Sequence, residues 1–383
     1  MYCNLCTVLI RYSIYIWPML ISDAIAHLES IAPPVLQESY DNAGLLTGNP
    51  SWPCTGILCS LDATEEVVME AIQNKCNLVI SHHPIIFGGL KKITGKNYVE
   101  RAVIAAIKND IALFAIHTNL DNVLTGVNGM MADKLTLINR SVLSPKGSVL
   151  KKLFTFVPVD QAEAVRSAIF SAGAGHIGNY SECSFGVEGT GTFKGEAGTD
   201  PFVGKPGERH SEKELKIEVI FPAWLQNVVI RALLEAHPYE EVAYDVVNLD
   251  NPHQAIGSGL IGELSEPLEE QAFLALLKQA FGLPLVRHTR LTGRKVKKVA
   301  ICGGAGSFLV PRALAAGAEV YVTADMKYHE FFDANDRMVI ADIGHFESEQ
   351  FTTDPLAGIL REKFPTFAVL KSKVKTNPVH YFL

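Results

Sequence analysis

Six short runs along the chain are apolar rather than alternating: Gly56-Ile57-Leu58-Cys59-Ser60-Leu61, in which Ser60 is the one polar member, Leu78-Val79-Ile80, Ile111-Ala112-Leu113-Phe114-Ala115-Ile116, Val299-Ala300-Ile301-Cys302, Val320-Tyr321-Val322 and Met338-Val339-Ile340-Ala341. A strand that is covered on both faces has no polar side to show, so such runs predict buried, mainly parallel strands. Helical stretches lie between them, including Glu65 to Gln73 and Val99 to Asn109. Strand alternating with helix predicts βαβ units and an α/β fold. Asp62 to His83 and Gly304 to Asp325 span the same length of chain. That match raises the expectation of two related α/β halves forming one core.

The middle of the chain has a different rhythm. Lys152 to Val157 reads as a strand, and Ala162 to Ala172 as a helix with Val165, Ala168, Ile169 and Ala172 on one face. A Gly- and Ser-rich strand region ends at Gly191-Thr192-Phe193, and a polar loop runs from Lys194 to Ser211. Strand Leu215 to Phe221, helix Ala223 to Ala236 and strand Glu241 to Leu249 follow. The order β-α-β-β-α-β predicts an inserted ferredoxin-like domain. The expected boundaries are an extension at residues 1–19, the first core half at 20–149, the insertion at 150–250 and the second core half at 251–383. Residues 1–19 are apolar but broken by Arg11 and Pro18, too short to span a bilayer. Ser22 to Ser30 reads as the first amphipathic helix, so the ordered chain is expected to begin near Met19.

Composition narrows the class. Of 383 residues, 48% are hydrophobic and 20% charged, and the net charge is −7 without a basic stripe. A globular protein follows, and nucleic acid is a poor default partner. The seven cysteines are odd in number and scattered, which fits a reducing compartment and a cytoplasmic location better than a disulfide framework. Cys3 and Cys6 form a lone CxxC, with no second pair to complete a zinc site.

Three motifs carry the candidate chemistry. Ser81-His82-His83-Pro84 ends a buried strand, where the turning chain lets both rings reach one cleft and Pro84 favours an extended exit. His117-Thr118-Asn119-Leu120-Asp121 follows the third run. Gly344-His345-Phe346-Glu347-Ser348-Glu349 follows the last, and in a helix His345 and Glu349 share one face at i and i+4. Open α/β sheets bind ligands at the carboxyl ends of their strands, which is where all three motifs begin. Adjacent histidines suit two neighbouring ions better than one. His82, His83, Asp121, His345 and Glu349, with Glu349 bridging, would give each of two ions three protein ligands and open positions, as catalytic sites have. Mixed nitrogen and oxygen donors suit zinc, iron, manganese, cobalt or nickel without choosing among them. His117, Tyr328 and His329 are candidates for substrate contact or proton transfer. Asp62 and Asp325 are candidates to orient histidines or to cap the helices that follow. Gly303-Gly304-Ala305-Gly306-Ser307 reads mainly as a tight turn, and His237-Pro238-Tyr239-Glu240-Glu241 as a helix stop.

The three motifs, with Glu38-Ser39-Tyr40-Asp41-Asn42-Ala43-Gly44-Leu45-Leu46 and Thr323 to Glu330, resemble those of the GTP cyclohydrolase I type 2-like family, also called Nif-three-like, from about residue 20 to the end. Ala324 stands where that family usually has glycine. The resemblance implies the same five metal ligands, with Glu347 as rival to Glu349. It also implies an inserted domain, notably at Ala174 to Tyr180 and Ala236 to Tyr244, and a ring-shaped homohexamer. The expected function is a metal-dependent hydrolase of cyclohydrolase type acting on a nucleotide-like small molecule, with no membrane partner. The alternatives are a non-enzymatic metal-handling or metal-sensing protein and a hexameric interaction scaffold.

Overall fold

The computed structural model describes residues 19–382. The expected extension at residues 1–19, with Cys3 and Cys6, therefore lies outside the described residues apart from Met19. The chain divides into two compact units. The first is built from the described part of Met1–Ser30 with Asn42–Ile116 and Thr353–Thr376. Its sheet contains β1 (Gly44–Thr47), β2 (Ile57–Ser60), β3 (Leu78–Ser81), β4 (Ala112–Ala115) and the C-terminal strand Val369–Lys371. The order is β1-β4-β3-β2 and then Val369–Lys371, all parallel except the edge strand β1. Every residue of β2, β3 and β4 is buried, which is why these strands read as mainly apolar runs. Helices Glu65–Gln73 and Tyr98–Lys108 pack Val67, Val68 and Val103 against Leu58, Val79 and Leu113. The Thr64 and Asn97 side chains cap them by accepting from the amides of Val67 and Glu100.

The second unit comprises Ile31–Asp41, His117–Thr352 and Asn377–Leu383. In chain order its strands are β5 (Ile138–Pro145), β6 (Leu150–Pro158), β7 (Ser184–Lys194), β8 (Arg209–Pro222), β9 (Tyr244–Leu249), β10 (Gly257–Glu269), β11 (Arg287–His288), β12 (Lys295–Ala305), β13 (Val320–Ala324) and β14 (Val339–Asp342). A six-stranded sheet has the order β11-β14-β13-β12-β10-β5, with β12, β13 and β14 parallel. Val299, Val322 and Ala341 on one face join Phe273 and Leu277 of helix Glu270–Phe281. Tyr321 and Ile340 on the other join Val310 and Ala313 of helix Val310–Ala315.

Strands β6 to β9 form a separate antiparallel sheet, in the order β7-β8-β6-β9. Helices Ala162–Ser171 and Gln226–Ala236 cover one face, burying Val165, Ile169, Val229 and Leu233 against Leu153, Val157, Ile217 and Val219. Strands β7 and β8 are longer than the sequence pattern suggests. They extend to Lys194 and begin at Arg209, shortening the expected loop at both ends. Backbone pairing Lys194↔Arg209 carries the ladder there through polar residues that have no apolar rhythm to read. No described helix is long and apolar enough to cross a membrane.

Candidate metal centre

In the first unit, the ladder continues past β3, with the His82 and His83 amides donating to the carbonyls of Ser60 and Leu61. This pins both residues at the carboxyl edge, where the expected strand end lies. His82 is fully buried and His83 partly so, with ring centroids 4.9 Å apart. His82 Nδ1 lies 2.9 Å from the carbonyl oxygen of Ile116, and His83 Nδ1 lies 2.8 Å from Asp62 Oδ1. The second Asp62 oxygen accepts from the Thr376 hydroxyl. Burial alone would raise the Asp62 carboxyl, but the hydrogen bond and charge of His83 outweigh it and hold the carboxyl below its ordinary value.

In the second unit, His117 precedes the short helix Thr118–Asp121, and its Nδ1 lies 2.8 Å from Asp41 Oδ1. Asp41 Oδ2 accepts from the amide of Thr118 at 3.1 Å and from its hydroxyl at 2.5 Å. Asn119 and Asn122, both buried, donate to the carbonyls of Ala32 and Leu36 and tie this helix to the segment that carries Asp41. His345 opens the helix His345–Glu349 directly after β14 and Gly344. Its Nδ1 lies 2.7 Å from Asp325 Oδ2, and its Nε2 lies 3.1 Å from Glu349 Oε2. Asp325 sits just past β13 with φ +54°, a left-handed conformation that Asp tolerates better than most residues.

Glu347 and Glu349 share that short helix, yet they face different neighbours. Glu347 Oε1 accepts from Asn377 Nδ2 at 3.0 Å, and Glu347 Oε2 lies over Gly344. Glu349 is the carboxylate beside the His345 ring. Space for it comes from β12. Gly304 has φ +62°, and a Cβ there would lie 2.5 Å from Glu349 Oε1. The glycine run expected as a tight turn is thus partly strand, since β12 extends through Ala305, and Gly304 makes room for a carboxylate.

Four imidazoles therefore share one arrangement. A carbonyl or carboxylate oxygen can only accept, so each Nδ1 carries a proton; in a neutral ring this leaves the lone pair on Nε2, whereas at His345 Nε2 also faces a carboxylate oxygen and both nitrogens donate. Metal-ligating histidines are oriented in this way. The ligand atoms of His82 and His83 lie within 4.8 Å of each other, as do those of His345 and Glu349. Mixed imidazole and carboxylate donors fit a divalent transition ion. His345 has the largest resolved histidine shift. Burial would lower its pKa, but hydrogen bonds to Asp325 and Glu349 and their charges push it up to about 11. Without an ion, an imidazolium balances those carboxylates.

Asp121 and Glu349 also share a neighbour. The Cys302 thiol is pushed up to about 12 by burial first, and then by the charges of Asp121 and Glu349. Tyr328 and His329 lie on the 3-10 helix Tyr328–Ala334 and are exposed. His237 caps helix Gln226–Ala236, with its ring Nε2 3.0 Å from the carbonyl oxygen of Phe156.

Asp41 is the orienting residue that the motif spacing alone does not reveal. The nearest signal was its place in Glu38 to Leu46. Burial would raise its carboxyl, but hydrogen bonds from His117 and Thr118 hold it down at about 2, against an ordinary 3.8. Because the folded value lies below the unfolded one, this contribution to stability is complete above about pH 4. It is lost as pH falls towards 2. Urea midpoints of wild type and Asp41→Asn should differ by a constant amount above pH 4 and converge below it. A gap independent of pH would contradict this role.

An α/β chain whose carboxyl-edge histidines are each held by an oxygen acceptor has the donor set of a metal-binding protein. The sequence model of the Duf34/NIF3 (NGG1p interacting factor 3) family matches residues 19–378, and the chain belongs to that family. A relative in Halalkalibacterium halodurans, named GTP cyclohydrolase 1 type 2 homolog, is 41% identical over 355 residues, covering 91% of this chain and 95% of the relative. One of the same name in Bacillus subtilis is 36% identical over 358 residues, covering 91% and 95%. A solved Bacillus cereus protein related to NIF3 superposes with a TM-score of 0.84 at 40% identity, covering 95% of this chain and all of that one.

Proposed function

We propose that this chain is a dinuclear metal-dependent hydrolase of cyclohydrolase type, acting on a nucleotide-like small molecule. His82, His83, Asp121, His345 and Glu349 hold the ions, and Glu349 bridges them. Residues 20–149 and 251–383 act as two related halves, 150–250 is an inserted ferredoxin-like domain, and the chain works as a cytoplasmic homohexamer. The observation that supports the reading best is the shared Nδ1 anchoring of His82, His83, His117 and His345 to Ile116, Asp62, Asp41 and Asp325. Two divalent ions would supply acidification of water and neutralisation of developing charge. The protein's own contribution is positional. Asp62 and Asp325 fix the ligand rings. His117, oriented by Asp41, takes a proton at Nε2 as general base. Tyr328 and His329, exposed at the carboxyl edge of β13, contact substrate.

The test is turnover of GTP and related nucleotides by metal-loaded protein. Wild type is expected to hydrolyse a member of the panel. His117→Ala should slow it about 100-fold or more, in line with loss of a general base, while metal content stays unchanged. A fully occupied site with no turnover on any nucleotide would reject the hydrolase reading and favour metal handling, which the partial exposure of His345 suits.

A further inference from the structure

The sheet of β6 to β9 has a face that its two helices leave open. Alternation puts Leu153, Ile217 and Val219 under the helices, so Phe156, Glu214 and Lys216 point the other way. That open face carries a cavity of about 720 Å³, lined by the rings of Phe156, Phe193, Phe202 and Tyr239. The Tyr239 ring lies 5.9 Å from Phe193 and 6.3 Å from Phe202, centroid to centroid. Glu214 also lines the cavity while only 8% exposed, and its Oε1 accepts from the Tyr239 hydroxyl at 2.8 Å.

The glycines of β7 shape this space. A Cβ at Gly191 would lie 2.0 Å from Glu214 Oε2, so glycine there admits the carboxylate. Gly189 pairs with Glu214 across the ladder, and a Cβ there would meet nothing within 4 Å. The wall charge is unequal, with five glutamates against two lysines. One of those lysines, Lys216, is already held by Glu218 at 2.8 Å. Such a wall repels anions. A hard metal cation would want converging oxygens rather than four rings. Aromatic faces with a buried carboxylate attract an organic cation, the rings taking its apolar body and the carboxylate its charge.

We propose that this cavity binds an organic cation with a planar apolar body, the size of an arylalkylamine, with Glu214 receiving the ammonium group. The site is separate from the metal ligands, so it stands or falls apart from the hydrolase reading. Titration calorimetry on the full chain at pH 7 would compare tryptamine, tryptophol and indole-3-propionate, near-isosteric probes that are cationic, neutral and anionic. Tryptamine is expected to bind at least tenfold more tightly than tryptophol, and indole-3-propionate not at all. Glu214→Gln should bring tryptamine down to the tryptophol level. Gly189→Val, which fills open space on an extended strand, should abolish binding of both with Glu214 intact. This second variant decides the matter if the first fails to fold. Absence of saturable tryptamine binding to wild type, equal affinity for the three probes, or unchanged binding in a folded variant would overturn the proposal.

Discussion

His345→Ala protein will be recovered with its metal content sharply reduced and its metal-free form less stable than wild type. Removing an orienting partner of a ligand commonly costs 10–100-fold in metal affinity, so removing the imidazole itself should cost about 100-fold or more. The stability effect has a separate origin. In the metal-free chain the imidazolium of His345, with its pKa pushed up to about 11, offsets Asp325 and the buried Glu349. Alanine takes away that balance. Loss of one partner of a buried pair is costly, but His345 is 38% exposed and solvent screens part of it. About 1–3 kcal/mol is expected at neutral pH. Elemental analysis reads the first effect and urea unfolding of chelated protein the second. Full metal occupancy in the variant would remove His345 from the ligand set.

Gly304→Ala should also impair metal retention, although residue 304 offers no ligand atom. Two causes add. At φ +62° a Cβ costs about 1–2 kcal/mol from backbone strain, and this one also meets Glu349 Oε1 at 2.5 Å and His345 Cε1 at 3.3 Å. The Glu349 carboxylate must move. Gly293→Ala is the matched control, since Gly293 has φ +76° and a Cβ there meets nothing within 4 Å. Both variants should lose stability, but only Gly304→Ala should lose metal. Equal metal content in the two would mean that the space above Gly304 has no bearing on Glu349.

What the sequence discloses depends on how local each cause is. Strands β2, β3, β4, β13 and β14 announce themselves because every residue in each is buried, so the runs are mainly apolar and their few polar members, Ser60, Ser81, Thr323 and Asp342, fall at or next to strand ends. His82, His83, His117 and His345 are legible for a related reason, since each lies just past the carboxyl end of such a strand. Their orienting partners are less so. Asp62 and Asp325 stand just beyond strand ends and are open to suspicion, but the same positions suit a helix cap equally well. The Asp41 contact with His117 joins residues 76 apart in sequence, and no spacing rule bridges that distance. The choice between Glu347 and Glu349 turns on which way one helical turn faces, which neighbours such as Asn377 and Gly304 decide. The cavity over β7 had no signature either. Its strand reads only as rich in Gly and Ser, and nothing local shows that Gly191 admits a carboxylate from the next strand.

Metal stoichiometry of the wild-type chain, prepared without added metal and read by elemental analysis after gel filtration, bears most directly on the five-ligand arrangement. About two equivalents of divalent transition metal per chain are expected. A single equivalent or none, both as prepared and after incubation with excess divalent metal and a second filtration, would contradict it.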